Sequence, residues 1–423
     1  MDFEKLLNGI DNCPCGKAHK CDIEKIIIKK DAIKELKRLL SSYSNILLVA
    51  DTNTYEICGE RVKAILGDAV KDELIYPGVP LLVPDENAIK ALNDSVKSET
   101  DIIIAVGSGV INDLCKLISY RRSRPYCIVA TAPSMDGYAS SVSAVIEGNM
   151  KITYAAHSPK FIIADLDVLK NAPYEMIQAG FGDTIGKYSA LNDWLLSKIV
   201  NGEYFCETVY DMVYSVLQKT AEIGPRLKDR REEDIKLLFE SLVIVGIAMA
   251  YVGNSRPASG SEHHLSHFFE VVGLLNNEPY LPHGICVAGS AVITQRLREE
   301  IIEIQEFESG FKFDREKWER AVRSIYSKAA DGVIDLQDKT GYYKRDFASI
   351  YKEKWEEIIS VFNKAPSSEY MLDLLNSAGI SFSEFNSVYS PEKIRNAVFF
   401  AKDLKDRYTV LWLYFAMKYK FEE

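Results

Sequence analysis

Residues 101–137 read DIIIAVGSGVINDLCKLISYRRSRPYCIVATAPSMDG and contain two short apolar runs on either side of a helical segment. The two runs, 101–106 and 126–131, are typical of parallel strands that are buried on both faces. The segment 110–120 between them has the length and pattern of a helix. A strand, a helix and a second strand at this spacing predict a βαβ unit of a doubly wound parallel sheet.

The same alternation continues on both sides of this unit and then stops. The other elements predicted for this part are strands at 45–50 and 161–164, a hairpin at 143–154, and helices at 32–40, 54–66 and 86–95. After residue 165, helices are predicted at 174–199, 206–223, 232–252 and 259–274, with several more after 316. We therefore expect an α/β, Rossmann-like domain over 1–170 and an all-α domain over 171–423.

Composition and charge narrow the class of protein. The chain has 423 residues, enough for two domains of the usual size, and 47% of them are hydrophobic. Its 51 basic and 61 acidic residues give a net charge of −10, which argues against a general nucleic-acid binder. No apolar run is expected to reach the roughly 18–20 residues that span a bilayer. The first residues lack the pattern of a signal peptide, so a cytoplasmic protein is expected.

Eight cysteines are too few for a disulfide scaffold in a chain of this length. Four residues with metal-binding side chains nevertheless crowd into nine positions: Cys13, Cys15, His19 and Cys21. Two interpretations are open, a small zinc site or an N-terminal excursion with reduced thiols. The sequence favours the second, because Cys-x-Cys is tighter than the usual spacing of zinc ligands and no second Cys/His pair follows at finger spacing.

The tripeptide Gly-Ser-Gly at 107–109 stands between a predicted strand and a predicted helix. Small residues there let backbone N–H groups approach a phosphate. The dinucleotide fingerprint G-x-G-x-x-G is incomplete, because Asn112 occupies the position of its third glycine. A plain tight turn explains the tripeptide equally well. Asp51, just after an earlier strand, is a candidate for binding the adenosine ribose or for a helix N-cap.

Four of the six histidines fall within 21 residues. His263 and His267 are four residues apart on a predicted helix and share a face, and His283 follows at the start of the next helix. Two imidazoles on one face with a third close behind indicate a divalent metal ion. Three protein ligands with an open position are typical of a catalytic site, and the missing anionic ligand must come from elsewhere in the chain. His264 points away from this face.

Three acidic residues beside glycine turns are candidates for the site: Asp113, Asp136 and Asp183. Asp136 follows the predicted strand at 126–131, and α/β sheets bind ligands at the carboxyl ends of their strands. Asp183 lies in an apolar helix, where a carboxylate is costly unless it is paired or bound to a metal. An ion pair between Asp183 and Lys187 is the structural alternative.

Six stretches together resemble the sn-glycerol-1-phosphate dehydrogenases, within the superfamily of iron-dependent alcohol dehydrogenases, glycerol dehydrogenases and dehydroquinate synthases. They are VGSGVINDLCK, ATAPSMDGYASSVSAV, AGFGDTIGKYSALNDW, GNSRPASGSEHHLSHFFE, LPHGICVAG and RNAVFFAKDLKDRYTVL. The resemblance covers roughly residues 45–295 and 395–410, and leaves the first 21 residues and the segment 301–389 unmatched. It implies a dehydroquinate synthase-like fold, in which an N-terminal Rossmann-like domain with a parallel sheet precedes an all-α domain.

The resemblance also implies roles for individual residues. It places the metal ligands on Asp183, His263 and His283, and it places His267 beside the substrate, where it assists proton movement. Asp136 matches the acidic residue of the substrate pocket. The positions implied for the nucleotide cofactor are Asp51, Gly107, Ser108, Gly109, Thr131 and Ser134.

A binding site for a phosphomonoester needs cationic groups or N–H donors. A binding site for glycerol, which is neutral, does not. Arg256 and Lys187 are the candidates, because each lies close in sequence to an implied metal ligand. Each is equally well explained as a partner in a salt bridge. An acidic residue at Asp51 would repel a 2′-phosphate and mildly favours NAD over NADP.

We therefore predict the reversible, metal-dependent reduction of dihydroxyacetone phosphate to sn-glycerol 1-phosphate by NADH or NADPH. Zinc is the default ion and nickel is the alternative. His267, Asp136 or a bound water would deliver the proton. The rival functions are a glycerol or other polyol dehydrogenase, a dehydroquinate synthase-type lyase and a non-catalytic metal-binding protein. A homo-oligomer, most simply a dimer, is expected.

Overall fold

The computed structural model describes residues 2–148, 150–307 and 313–419. The chain forms two compact units. The first consists of Met1–Glu147, Lys151–Thr184 and Asp211–Ser255, and the second consists of Gly148–Met150, Ile185–Tyr210 and Arg256–Glu423. The division into domains at residue 170 stays a prediction.

A six-stranded parallel sheet forms the centre of the first unit. In spatial order its strands are β1 (Lys25–Lys29), β8 (Phe161–Asp165), β5 (Tyr126–Ala130), β4 (Ile102–Gly107), β2 (Ile46–Asp51) and β3 (Val70–Tyr76). The predicted hairpin is present as a separate two-stranded sheet of β6 (Val142–Glu147) and β7 (Met150–Ala155).

Burial explains which strands are visible in the sequence. The inner strands β4, β5 and β8 are buried along their whole length, so they consist of continuous apolar residues. The edge strand β3 reads VKDELIY and exposes Lys71 and Glu73, while the opposite edge strand β1 carries a lysine at each end. The four predicted strands are confirmed. The two edge strands, β1 and β3, were not predicted.

Helices make up most of the remaining described chain. Up to residue 252 they are α1 (Phe3–Leu7), α2 (Leu36–Leu39), α3 (Thr52–Thr54), α4 (Glu60–Leu66), α5 (Glu86–Ser95), α6 (Gly109–Arg121), α7 (Leu166–Leu169), α8 (Tyr174–Ile185), α9 (Lys187–Asn201), α10 (Glu207–Ala221) and α11 (Glu232–Val252). The later helices are α12 (Ser261–Asn276), α13 (His283–Ile302), α14 (Arg315–Tyr326), α15 (Ala330–Thr340), α16 (Phe347–Glu353), α17 (Trp355–Phe362), α18 (Ser368–Ser377), α19 (Phe382–Val388), α20 (Pro391–Phe400) and α21 (Val410–Lys418).

One predicted helix is divided in the structure. The segment expected as a single helix over 174–199 forms α8 and α9, which are separated by Gly186. Glycine is about 1 kcal/mol less favourable than alanine inside a helix, which permits a break at this residue, although Gly180 and Gly182 lie inside α8 without one. Asp183 and Lys187 therefore do not share an uninterrupted helix. The helix predicted at 54–66 consists of α3, a π-helical stretch (Tyr55–Gly59) and α4, and the one predicted at 32–40 begins as a 3-10 helix (Ala32–Glu35) before α2. The other predicted helices agree with the structure to within a few residues, and the α/β-plus-helical fold is confirmed.

Helix α11 corrects the expectation that no apolar segment reaches membrane-spanning length. Among the described residues it is the one helix that is long and apolar enough by length and composition. However, 78% of its most apolar window is buried inside the protein. In the first unit it packs on β1, on α7 and on the turn Gly137–Ala139. This burial is typical of the core helix of a globular protein.

Candidate active site

The Gly-Ser-Gly turn joins β4 to α6, as the sequence predicts, with Ser108 as the N-cap residue of α6. Gly107 has no room for a side chain, because an added Cβ would lie 2.7 Å from the Cβ of Ile111. Gly109 has room, since the nearest atom is the Cγ of Met135 at 3.5 Å. The first glycine is thus needed for packing, whereas the space beside Gly109 leaves the backbone open to a ligand.

Asn112, the residue that breaks the fingerprint, ties α6 to the loop that follows β5. Its buried side-chain amide donates a hydrogen bond to the carbonyl of Gly137 at 3.3 Å, and its Oδ1 accepts one from the hydroxyl of Tyr126 at 3.4 Å. The backbone N–H of Thr131 donates to the carbonyl of Gly107 at 3.1 Å. The departure from the fingerprint therefore has a structural reason, because the amide anchors the neighbouring loop.

Lys116 is a buried residue of this site that the sequence analysis missed. Its Nζ donates hydrogen bonds to the carbonyl of Gly137, to the Oγ of Ser140 at 2.7 Å and to the carbonyl of Val142 at 3.1 Å. Burial lowers the pKa of Lys116 to about 8, although the carboxylate of Asp113, 3.8 Å away, acts in the opposite direction. A lysine within the apolar sequence LCKLIS was the signal for it.

The buried ammonium of Lys116 predicts a specific dependence of stability on pH. Relative to a Lys116→Met variant, the unfolding free energy of the wild type should rise as pH increases from about 8 to about 10.5. In that interval the unfolded lysine keeps a proton that the folded lysine has lost, so the unfolded state binds more protons and stability rises with pH. The difference between the two pKa values corresponds to about 3 kcal/mol. Urea titrations of both proteins across this range measure it, and a constant difference would contradict the buried charge.

Two helices hold the loop that carries Asp136. The backbone N–H of Asp136 donates to Oδ2 of Asp183, a fully buried residue of α8, at 3.0 Å. Helix α8 contacts the loop at Gly180, where an added Cβ would lie 1.8 Å from the carbonyl oxygen of Pro133. Helix α11 contacts it at Gly246, where an added Cβ would lie 2.8 Å from the carbonyl oxygen of Asp136. Both helices therefore pack directly against the backbone of this loop.

Three predicted histidines come together in the second unit. The ring centroids of His263 and His283 are 5.2 Å apart, those of His267 and His283 are 5.7 Å apart, and those of His263 and His267 are 6.0 Å apart. A ring nitrogen of His263 and one of His283 lie within 4.8 Å of each other. The spacing in the sequence thus brings the imidazoles into one group. His264 is buried, and burial holds its pKa well below the usual value.

Glu262 fixes the orientation of His263 and is a second residue that the sequence analysis missed. Its fully buried carboxylate lies 2.7 Å from Nδ1 of His263. Burial alone would raise the pKa of Glu262, but the hydrogen bond and charge of His263, the N–H of Gly260 and the charge of Lys187 hold that pKa below its usual value. The ionised carboxylate can only accept, so Nδ1 of His263 donates to it, and in the neutral imidazole Nε2 then presents its lone pair. This arrangement is common around metal-binding histidines.

A buried ion pair supports the start of α12, the helix that carries His263 and His267. Arg298 lies 2.8 Å from Asp193, and both side chains are fully buried. Asp193 also accepts hydrogen bonds from the backbone N–H of Ser261 at 2.6 Å and of Val410 at 2.9 Å. These contacts fix the first turn of α12, so the histidines stand on a rigid element.

Three other predicted site residues have structural partners. Asp51 forms a capping box at α3, in which its Oδ1 accepts a hydrogen bond from the N–H of Thr54 at 2.9 Å. The buried guanidinium of Arg256 contacts Oε2 of Glu203 and the carbonyl of Tyr408, both at 2.6 Å. Asp51 thus has the contacts of a helix N-cap, and Arg256 has those of a salt-bridge partner, which are the alternatives that the sequence left open for them. Lys187 is fully buried at the start of α9 and contributes positive charge near Glu262.

Comparison with known proteins adds sequence evidence. The profile of the family described as iron-containing alcohol dehydrogenase matches residues 27–173. A curated glycerol-1-phosphate dehydrogenase [NAD(P)+] of Halalkalibacterium halodurans is 36% identical over 292 residues, which cover 67% of this chain and 73% of that protein. A Bacillus subtilis protein of the same name is 30% identical over 399 residues, which cover 92% of this chain and 90% of that protein.

Solved structures agree on the architecture. The iron-containing alcohol dehydrogenase of Thermococcus thioreducens matches with a TM-score of 0.57 at 14% identity, covering 90% of this chain and 91% of the other. At this level of identity the match supports the fold alone.

Proposed function

Since this chain belongs to the glycerol-1-phosphate dehydrogenase family and is an oxidoreductase, we propose that it catalyses the reversible reduction of dihydroxyacetone phosphate to sn-glycerol 1-phosphate with NADH or NADPH. The names of the curated relatives support the substrate and the cofactor. One structural observation supports the metal dependence of the proposed reaction. The imidazoles of His263, His267 and His283 form one group, and Glu262 fixes the tautomer of His263.

We propose that Asp183, His263 and His283 hold the divalent metal ion. The donors fit such an ion, because a carboxylate and two neutral imidazoles suit zinc, and nickel as well. The lone pair on Nε2 of His263 and the nearby ring nitrogen of His283 supply two ligands from one group. When bound, the metal acts as a Lewis acid on the substrate oxygens and the nicotinamide exchanges hydride with the substrate carbon.

The remaining proposed roles belong to the protein's own side chains. Asp136 and His267 orient the substrate and move the proton to or from its oxygen. Lys187 and Arg256 bind the phosphate of the substrate. Six residues at the carboxyl ends of β2, β4 and β5 hold the cofactor: Asp51, Gly107, Ser108, Gly109, Thr131 and Ser134. A homodimer is the proposed assembly.

One observation favours a second candidate function. Because Arg256 already contacts Glu203 and Tyr408, its availability for a phosphate is reduced. A glycerol or other polyol dehydrogenase would need no such cation. The choice of substrate therefore depends on whether a phosphate ester is required.

A comparison of two substrates tests the proposal. NADH oxidation should be rapid with dihydroxyacetone phosphate, weak with unphosphorylated dihydroxyacetone, abolished by chelation and restored by zinc or nickel. Chiral analysis of the product should give sn-glycerol 1-phosphate. Equal use of dihydroxyacetone would favour the polyol dehydrogenase, and turnover that survives complete removal of metal would contradict the metal-dependent mechanism.

A further inference from the structure

The segment 10–19 forms a small closed loop in the first unit. The N–H of His19 donates to the carbonyl of Ile10 at 2.8 Å, and the N–H of Ile10 donates to the carbonyl of His19 at 2.9 Å. Inside this loop the N–H of Gly16 donates to the carbonyl of Cys13 at 2.9 Å, and Gly16 has a φ of +82°. The turn lies between Ile10 and His19, so the side chains of Cys13 and Cys15 can reach the histidine.

Two sulfur atoms and one ring nitrogen converge in this loop. The Sγ atoms of Cys13 and Cys15 and a ring nitrogen of His19 all lie within 4.8 Å of one another, and Sγ of Cys15 is 3.3 Å from Nε2 of His19. Zinc binds sulfur at about 2.3 Å and nitrogen at about 2.0 Å, so ligand atoms in a tetrahedral site are roughly 3.5–3.8 Å apart. The three atoms are therefore within about 1 Å of the spacing that the ion requires.

His19 is held in the orientation of a metal ligand. Its ring is fully buried and stacks on the ring of Tyr251 in α11 at 5.5 Å between centroids. Its Nδ1 lies 2.9 Å from the backbone carbonyl oxygen of Tyr251. A carbonyl only accepts, so Nδ1 carries the proton and the lone pair of Nε2 faces the thiols. Histidine ligands of zinc usually donate their other N–H to such a carbonyl or carboxylate.

We infer that Cys13, Cys15 and His19, all in the first unit, are ligands of a zinc ion. From the short Cys-x-Cys spacing we predicted reduced thiols without a metal. The turn at Gly16, however, brings both sulfur atoms close to the imidazole of His19. Binding releases the thiol protons and fastens the N-terminal loop to the end of α11 through His19 and Tyr251.

Cobalt substitution of the full-length protein distinguishes this site from the proposed catalytic one. Thiolate ligands give cobalt(II) an intense charge-transfer band in the near ultraviolet, whereas carboxylate and imidazole ligands do not. The metal-stripped wild type should bind two equivalents of cobalt, and one of them should develop this band. A His263→Ala variant should keep the band while it loses one equivalent and its turnover.

Cysteine variants test the assignment of the ligands. Cys15→Ser should lose the band and one equivalent of zinc by elemental analysis, and Cys13→Ser should lose much of the band's intensity. Cys21→Ser is the matched control, because Cys21 lies in the same segment but outside the converging group, and it should keep both. Absence of the band from the cobalt-loaded wild type would overturn the site, whether or not the variants fold, and an unchanged band in Cys13→Ser would overturn that ligand.

Discussion

Replacing His263 with alanine is expected to remove the active-site metal and to lower turnover roughly a thousandfold, the equivalent of about 4 kcal/mol in the activation barrier. The imidazole is one of three proposed protein ligands, and alanine offers no donor. Metal content by elemental analysis and steady-state turnover of dihydroxyacetone phosphate measure the two losses.

Glu262→Gln provides a graded comparison in the same experiment. The amide can still contact Nδ1 of His263, but it no longer carries the charge that sets the tautomer, so metal affinity should fall about 10- to 100-fold. His157→Gln is the matched control, because that histidine bonds to Ser119 in the first unit. Full retention of the metal by the His263→Ala variant would contradict the proposed ligand set.

Replacing Gly180 with alanine is expected to lower both stability and turnover. The new methyl group would lie 1.8 Å from the carbonyl oxygen of Pro133, so α8 or the loop must shift. Overpacking of this kind costs about 1–3 kcal/mol, and the obstacle here is backbone rather than a flexible side chain. Because Pro133 is three residues before Asp136, the shift also displaces a proposed substrate-binding residue, and turnover should fall at least roughly tenfold.

Gly109→Ala is the steric control for this substitution. Its added methyl would meet only Met135, at an ordinary contact distance of 3.5 Å, so the unfolding free energy should stay within about 0.5 kcal/mol of the wild type. Because Gly109 is one of the proposed cofactor-binding residues, the KM of the Gly109→Ala variant for NADH should rise. Urea titrations and steady-state kinetics of both variants make the comparison, and a Gly180→Ala variant as stable and active as the wild type would contradict the close contact.

The sheet was predictable to the extent that its strands are buried. Runs such as IIIAV in β4 have no polar residue to break the pattern, because both faces are covered. The edge strand β3 mixes charges with apolar residues, since one of its faces is exposed, and the pattern then resembles a loop. The break at Gly186 was not predicted because glycine weakens a helix without excluding it.

The site was predictable where local spacing determines proximity. His263 and His267 are one helical turn apart, and His283 begins the next helix, so their grouping follows from periodicity. Lys116 acts through Gly137, Ser140 and Val142, which only the folded chain brings close to it. Glu262 contacts the adjacent His263, and that contact has no periodic signal in the sequence. Periodicity gives no information on such contacts, and therefore it could not separate the ion-pair role of Arg256 from a phosphate-binding one.

The long apolar sequence of α11 has a consequence during synthesis of the chain. A segment of this composition would attract chaperones or other unfolded chains if it stayed exposed. Its partners in the first unit, β1, α7 and the turn Gly137–Ala139, all lie upstream of it. When α11 leaves the ribosome, these three partners have already been made. The order of translation thus shortens the time for which this long apolar helix is exposed.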